Sequence, residues 1–365
     1  MKPLRLLVVG PGASWSTADV EAGLLFGLQH HGVDVIRYAL DGRIVNAQKF
    51  LFTAWRLKKK SDPSLERPTP ADVLYQASMG ALERALRHQV DAVVVVSGMY
   101  LHPDVLVLMR RAGLLVTVMF TESPYDLEQE LKVAQIAHGC WTNERTSVDA
   151  FRSVCPNSGY LPHAWHPERH RPGLQPGDED VTAHDVVFVG SAFRERVEWF
   201  RAIDWTGIDL GLYGNWDALG TRDALRQFVR GKSTPNAVSA ALYRRAKVGL
   251  NLYRSSKGFG RQAPRIAPAS AQSLSPRAYE LAACGAFHLS EARAEVREVF
   301  GDAVPTFTTA TEAAALIRRW LADDAGRAAA AASLPAMVAE SSWVHRASQV
   351  ITDLTALVES RRRVA

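Results

Sequence analysis

Ser275, Pro276, Arg277 and Glu280 stand close enough together to bind an anion and a vicinal diol side by side. Ser275 is a favoured helix N-cap and Pro276 suits the first helical position. A helix is therefore predicted to begin here with unpaired N–H groups and the positive end of its dipole outward. Such an end attracts phosphate. Arg277 adds a forked cation, and Glu280, about one turn further in, offers a carboxylate to two neighbouring sugar hydroxyls. The run through Leu289 then reads as a buried strand, and the whole unit as a sugar-nucleotide site. Taken alone, the short pattern describes a capped surface helix with a solvated arginine and glutamate equally well.

Positioning such residues takes alternating strands and helices. Apolar runs predict strands at 4–10, 33–38, 92–97, 114–120, 137–142 and 159–162, with amphipathic helices including 18–32, 72–89, 103–112 and 145–154. That alternation is the mark of a parallel, doubly wound α/β sheet. Prolines and glycines cluster between 164 and 184, so the expected layout is a domain over 1–165, a linker over 166–184 and a second domain over 185–340. Strands of the second domain are predicted near 186–190, 208–213, 247–252, 286–289 and 304–307. The Ala-rich stretch 324–334 reads as helix, and 341–365 as a terminal segment carrying one amphipathic helix.

The segment Arg277-Ala278-Tyr279-Glu280-Leu281-Ala282-Ala283-Cys284-Gly285, with its continuation to Phe300, resembles the signature of retaining-type glycosyltransferases of the GT-B fold. The resemblance is to the spore-maturation glycosyltransferase-like family, in which R-x-x-E-x-x-A-x-G opens the donor-binding helix. Val186 to Ser191 followed by Arg194 and Arg196, Leu212 to Trp216, and Ala246 to Leu252 are similar to other segments of that family. Gln272 stands where many relatives carry a second glutamate. The resemblance implies two facing Rossmann-like domains, with a last helix crossing back to the N-terminal one. It also implies a nucleoside diphosphate sugar, UDP-sugar favoured, held by the C-terminal domain. Gly190, Arg194, Arg196, Asn215, Trp216, Asn251, Ser275, Arg277 and Glu280 are the expected donor residues, with Glu280 on the ribose and Asn215 and Trp216 at the base.

Ligands of such sheets lie at the carboxyl ends of strands. After the first strand come Gly12, Ser14 and Trp15, expected on the acceptor or sugar side, where a plain tight turn is the other reading. His102 follows the 92–97 strand and Glu122 and Asp126 the 114–120 strand. They are the catalytic candidates for acceptor activation, against a solvated loop histidine and a capping carboxylate.

Between Ala224 and Tyr279 lie 11 lysines and arginines and no acid, in a chain whose formal net charge is +5. That bias admits a polyanionic acceptor such as DNA beside an envelope glycan. It also supports a competing reading, a catalytically inactive module that binds nucleic acid or a protein partner.

No cofactor is expected. The acidic triplet Asp178-Glu179-Asp180 reads as a solvated turn rather than a metal site, and no phosphate-loop or dinucleotide fingerprint is present. Three dispersed cysteines and the lack of a run of roughly 20 apolar residues fit a cytoplasmic protein without a transmembrane segment.

Overall fold

The computed structural model describes residues 4–12, 16–232, 234–256 and 271–364. Ser14 and Trp15, and the basic loop residues Lys257, Arg261 and Arg265, lie outside them. The chain divides into two compact units, Met1–Pro162 with Val344–Ala365, and His163–Trp343.

The first unit holds β1 (Arg5–Val9), β2 (Asp34–Tyr38), β3 (Ala92–Val96), β4 (Val116–Phe120), β5 (Gly139–Thr142) and β6 (Ser158–Tyr160). They form one parallel sheet in the order β2-β1-β3-β4-β5-β6. β3 and β4 are buried at every residue, as strands covered on both faces require: β3 is unbroken apolar, and in β4 the one polar residue, Thr117, donates its hydroxyl to the Val93 carbonyl at 3.1 Å. All six strands stand within a few residues of their predicted positions.

The helices include α1 (Ser16–His30), α2 (Leu40–Lys59), α3 (Pro70–Arg87), α4 (Pro103–Arg111), α5 (Leu127–Ala134) and α6 (Val148–Val154). α3 starts on a capping box in which Thr69 and Asp72 bond each other's backbone amides, with Pro70 in the first turn. The sequence reading named no helix over α2. This helix begins at Ala39 without a side-chain cap and fully buries only Leu40 and Ala47, so its periodic signal is thin.

The second unit contains β7 (Val186–Val189), β8 (Leu210–Tyr213), β9 (Val229–Gly231), β10 (Val248–Asn251), β11 (His288–Glu291) and β12 (Thr306–Phe307), ordered β12-β11-β10-β7-β8-β9. Its helices are α7 (Arg194–Arg201), α8 (Asn236–Arg245), α9 (Pro276–Ala283), α10 (Ala294–Phe300), α11 (Ala310–Leu321) and α12 (Asp324–Met337). β9 escaped the sequence because a three-residue edge strand carrying Arg230 and Gly231 has no apolar run.

The stretch 166–184 belongs to the second unit and carries buried groups. Arg244 reaches Asp178 with two nitrogens, at 2.6 and 2.7 Å, and His170 is 1% exposed. His184 lies between Asp209 and Tyr213.

The terminal helix α13 (Trp343–Val364) packs on the first unit. Trp141 donates to Asp353 at 2.7 Å, Gln349 to the Tyr160 carbonyl at 3.0 Å, and Arg362 pairs with Asp91. Two helix-flanked parallel sheets, with the last helix returned to the first unit, make the GT-B architecture.

Candidate functional site

Each sheet reverses its strand order once, between β1 and β3 in the first unit and between β7 and β10 in the second. Ligands of open parallel sheets bind at such switch points, beyond the carboxyl ends of the strands.

In the second unit, two arginines converge on the ends of β7 and β10. Arg277, in the first turn of α9, donates Nε to the Val189 carbonyl at 2.7 Å and Nη1 to the Leu252 carbonyl at 3.2 Å. Nη1 also lies 3.4 Å from Asn251 Oδ1. Arg196, on α7, donates Nη2 to the same Leu252 carbonyl at 3.0 Å and Nη1 to Ser191 O at 3.1 Å. Both guanidinium groups lie over the Phe188 ring, at 4.6 and 5.3 Å, and Arg254 lies over Phe193 at 5.4 Å. Gly190 makes this approach feasible, because a Cβ there would sit 2.7 Å from Arg277 Nη2.

Two helices start at this point without a side-chain cap. Phe193 precedes α7, and Ser275 precedes α9. Ser275 occupies the predicted N-cap position, but its hydroxyl donates to Asn251 Oδ1 at 2.7 Å and does not cap the helix. Asn251 passes the link on to Ser290, Nδ2 to Oγ at 3.0 Å. It is fully buried and ties α9 to the sheet. Uncapped helix starts beside guanidinium groups form a positive, hydrogen-bond-donating floor suited to a diphosphate.

Glu280 is largely buried, one turn into α9, and accepts a long hydrogen bond of 3.4 Å from Tyr243 on α8. Burial, with Glu280 beside it, holds the Tyr243 hydroxyl well above its ordinary pKa. Arg194 begins α7 half-exposed and pairs with Glu198 at 2.9 Å.

Asn215 is exposed after β8 and accepts from the Asp217 amide. Trp216 corrects the sequence expectation. It is 2% exposed and packs edge-on against Phe188 and Phe200, so its faces belong to the core and no base stacks on them.

The sequence missed the carboxylate that fastens the segment following β10. Glu195 accepts from the Ser255 and Ser256 amides and the Ser256 hydroxyl. Burial pushes its pKa up, but those bonds and Arg196 outweigh it, leaving it below the ordinary value. Glu291 is held above its ordinary value by burial and accepts from the Tyr253 amide.

The acid-free segment looks different in space than in sequence. Arg244, Lys247, Lys232 and Arg230 pair with Asp178, Asp185, Asp217 and Asp209, all distant in the chain.

In the first unit, Gly12 has φ +82°, and a Cβ on it would stand 2.6 Å from that of Tyr100, so the loops after β1 and β3 touch. His102 is the N-cap of α4, its Nδ1 accepting from the Asp104 amide at 3.3 Å. That bond leaves the proton on Nε2 in the neutral ring. Tyr75 contacts the ring edge-on.

Glu122 and Asp126 lie half-buried in one turn, closed by the Asp126 amide donating to the Glu122 carbonyl at 3.2 Å, and a third carboxylate absent from the sequence expectations anchors it. Glu130, fully buried on α5, accepts from the Glu122 amide at 2.9 Å and from the Ser123 hydroxyl. Burial raises its pKa to about 7, with Glu122 and Asp126 adding to the effect against the two hydrogen bonds. Its signal was only a glutamate at the inward position of a short amphipathic helix. Among the described residues no group of three or more His, Cys, Asp or Glu is placed to hold a metal ion.

Residues 194–352 match a family described as glycosyl transferase-like. Among solved structures, a sucrose-phosphate synthase from Thermosynechococcus elongatus superposes with a TM-score of 0.67 at 14% identity, over 98% of this chain and 100% of that one. The Anabaena protein HepE, solved in complex with UDP-glucose, gives 0.61 at 13% identity, over 97% and 100%. A putative UDP-N-acetylglucosamine 2-epimerase from Listeria monocytogenes gives 0.58 at 11% identity, over 98% and 97%. No curated protein sequence matches the chain. The fold is thus that of GT-B proteins, and most of the glycosyl transferase-like match falls on the unit that carries the Arg196–Arg277 floor.

Proposed function

We propose that this protein is a glycosyltransferase that moves a sugar from a nucleoside diphosphate sugar, UDP-sugar favoured, to a hydroxyl acceptor. The observation that carries the reading is the meeting of two uncapped helix starts with Arg196 and Arg277 at the switch point of the second sheet. As the bond from the sugar to the diphosphate breaks, negative charge grows on the leaving oxygens, and fixed donors aimed at it stabilise the transition state. Glu280 holds the ribose, and Arg194 stands at the rim. Transfer proceeds with retention and without a metal, the cations and helix starts supplying the neutralising charge.

The finer resemblance to the spore-maturation glycosyltransferase-like family rests on Arg277 to Gly285 with its continuation to Phe300, and on the segments Val186 to Ser191 with Arg194 and Arg196, Leu212 to Trp216 and Ala246 to Leu252. His102, Glu122 and Asp126 serve the acceptor, which is a polyanion such as modified DNA or an envelope glycan. The site of action is the cytoplasm. Gln272, in place of a glutamate, favours the competing reading of an inactive module.

One experiment separates the two. The purified chain is incubated with a panel of uridine and guanosine diphosphate sugars, and nucleotide release is followed without acceptor, with and without EDTA. Slow hydrolysis of one donor, insensitive to chelator, is the expected result. No stabilisation and no hydrolysis by any donor favours the inactive module. Loss with EDTA and rescue by manganese overturns the metal-free reading and reopens Asp178 and Asp180.

A further inference from the structure

The outer face of α2 takes no part in either switch point. Val45, Phe50 and Leu57 are 50, 65 and 70% exposed, three of the nine large apolar side chains so exposed among the described residues. Scattered singly, such residues need no explanation. Here they share a helix with a dense set of cations. Residues 40–60 contain Arg43, Lys49, Arg56, Lys58, Lys59 and Lys60 against the lone acid Asp41, a net +5 that equals the formal charge of the whole chain.

The spacing organises these groups into lines. Phe50 and Leu57 are seven residues apart and so lie on one line along the helix. Lys49 and Arg56, each one residue earlier, form the next line, with Lys60 beside them and Val45 on the far edge. The opposite face, with Leu40, Ala47, Leu51 and Trp55, packs inward.

Some of the cations are engaged. Lys59 donates to the Pro63 and Leu65 carbonyls, and Arg43 lies over Tyr38. Lys49, Arg56, Lys58 and Lys60 have no side-chain hydrogen bond or ion pair among the described residues. Four unpaired cations interleaved with apolar groups on a solvent-facing helix gain nothing from the fold.

We propose that α2 is an interfacial helix that docks the protein on an anionic lipid surface. Its cations meet the headgroup phosphates, and Phe50, Leu57 and Val45 enter the boundary of the acyl region. Charge complementarity alone also fits a nucleic acid. The aliphatic side chains Leu57 and Val45, however, offer nothing to a phosphate backbone, whereas a bilayer uses both kinds of group. The helix lies along the surface and does not cross it; among the described residues no helix is long and apolar enough to span a membrane.

The test is co-sedimentation of the full chain with sucrose-loaded vesicles of phosphatidylcholine alone or mixed with phosphatidylglycerol, with duplex DNA as a parallel probe. Binding is expected only to the anionic vesicles and should weaken with salt. Each cation near the surface contributes about fivefold in partitioning. The combined variant Lys49→Gln, Arg56→Gln, Lys58→Gln and Lys60→Gln should therefore bind at least about a hundredfold more weakly. Phe50→Ser with Leu57→Ser should lose about tenfold. All six positions face solvent, and unchanged circular dichroism confirms the variants are folded. Failure to sediment with anionic vesicles at low salt, equal binding to neutral ones, or full binding by the charge variant overturns the proposal. DNA retention that survives Phe50→Ser with Leu57→Ser, without vesicle binding, makes the face a nucleic-acid surface instead. None of these outcomes depends on sugar transfer.

Discussion

Replacing Arg277 by lysine keeps a positive charge at the start of α9 and removes the fork that joins three chain segments. In the native arrangement Nε bonds the Val189 carbonyl at 2.7 Å, Nη1 bonds Leu252 O at 3.2 Å, and the guanidinium lies 4.6 Å above Phe188. A lysine ammonium is a point donor on a flexible stem and satisfies one of these contacts at a time. Losing one charge-assisted bond costs about 1.5 kcal/mol, and losing the stacking on the ring about 0.5–1 kcal/mol, so the second unit should lose roughly 2 kcal/mol in this partly exposed setting. For a unit of this size that is a fall of roughly 4–8 °C in melting midpoint, read by differential scanning calorimetry. A double-mutant cycle sharpens the test. Gly190→Ala alone inserts a methyl group 2.7 Å from Arg277 Nη2 and should cost about 1–3 kcal/mol, whereas in the lysine background the guanidinium is gone and the cost should shrink. A lysine variant that melts with the wild type, or an alanine cost unchanged between backgrounds, would refute the clamp.

Glu280→Ala should weaken binding of the preferred nucleotide by about 1.5–3 kcal/mol in titration calorimetry, and unchanged affinity would remove Glu280 from the donor site. Trp216→Ala should cost about 3–5 kcal/mol of stability, as for a buried aromatic, while the folded fraction binds donor as before; weaker binding by fully folded protein would return the indole to the site. Glu130 adds a pH signature. Its folded pKa of about 7 lies above the ordinary carboxylate value of 4.5, so its contribution to stability is present below pH 4.5 and is lost as pH rises to about 7, then stays level. Glu130→Gln should flatten the fall in stability between pH 5 and pH 7, and a denaturation series with the same slope in both proteins would count against it.

Much of the architecture was legible because it is local. Apolar runs such as Ala92–Val96, and Val116–Phe120 with its single threonine, specify strands buried on both faces, and Pro276 after Ser275 specifies where α9 begins. α2 and β9 were harder. One has no capping residue and little buried surface of its own, and the other has only three residues.

The side-chain partners are the part that the chain order hides. By its place beside a helix start, Arg277 reads in the sequence as a phosphate ligand. Its bonds to Val189 and Leu252 exist because β7 and β10 are adjacent across the switch point, although the two strands are far apart in the chain and no local pattern links them.

 That adjacency is a property of the sheet order, and nothing in the residues around Arg277 encodes it. The acid-free segment teaches the same lesson with charge. Arg244 finds Asp178 and Lys247 finds Asp185 only after folding, so a cation excess along the chain is partly neutralised in space.

By itself, the sequence determined where most strands and helices run, the two α/β units, and the helix start that bears Arg277 and Glu280. Backbone sterics and the spacing of apolar residues act over a few positions, and those positions are written consecutively. Only the tertiary structure decided that Trp216 is core, that Ser275 turns to Asn251 instead of capping, and that Glu130 is sealed beneath Glu122 and Asp126. Burial and hydrogen-bond partners depend on which strands become neighbours, and that is fixed by the packing of the whole sheet.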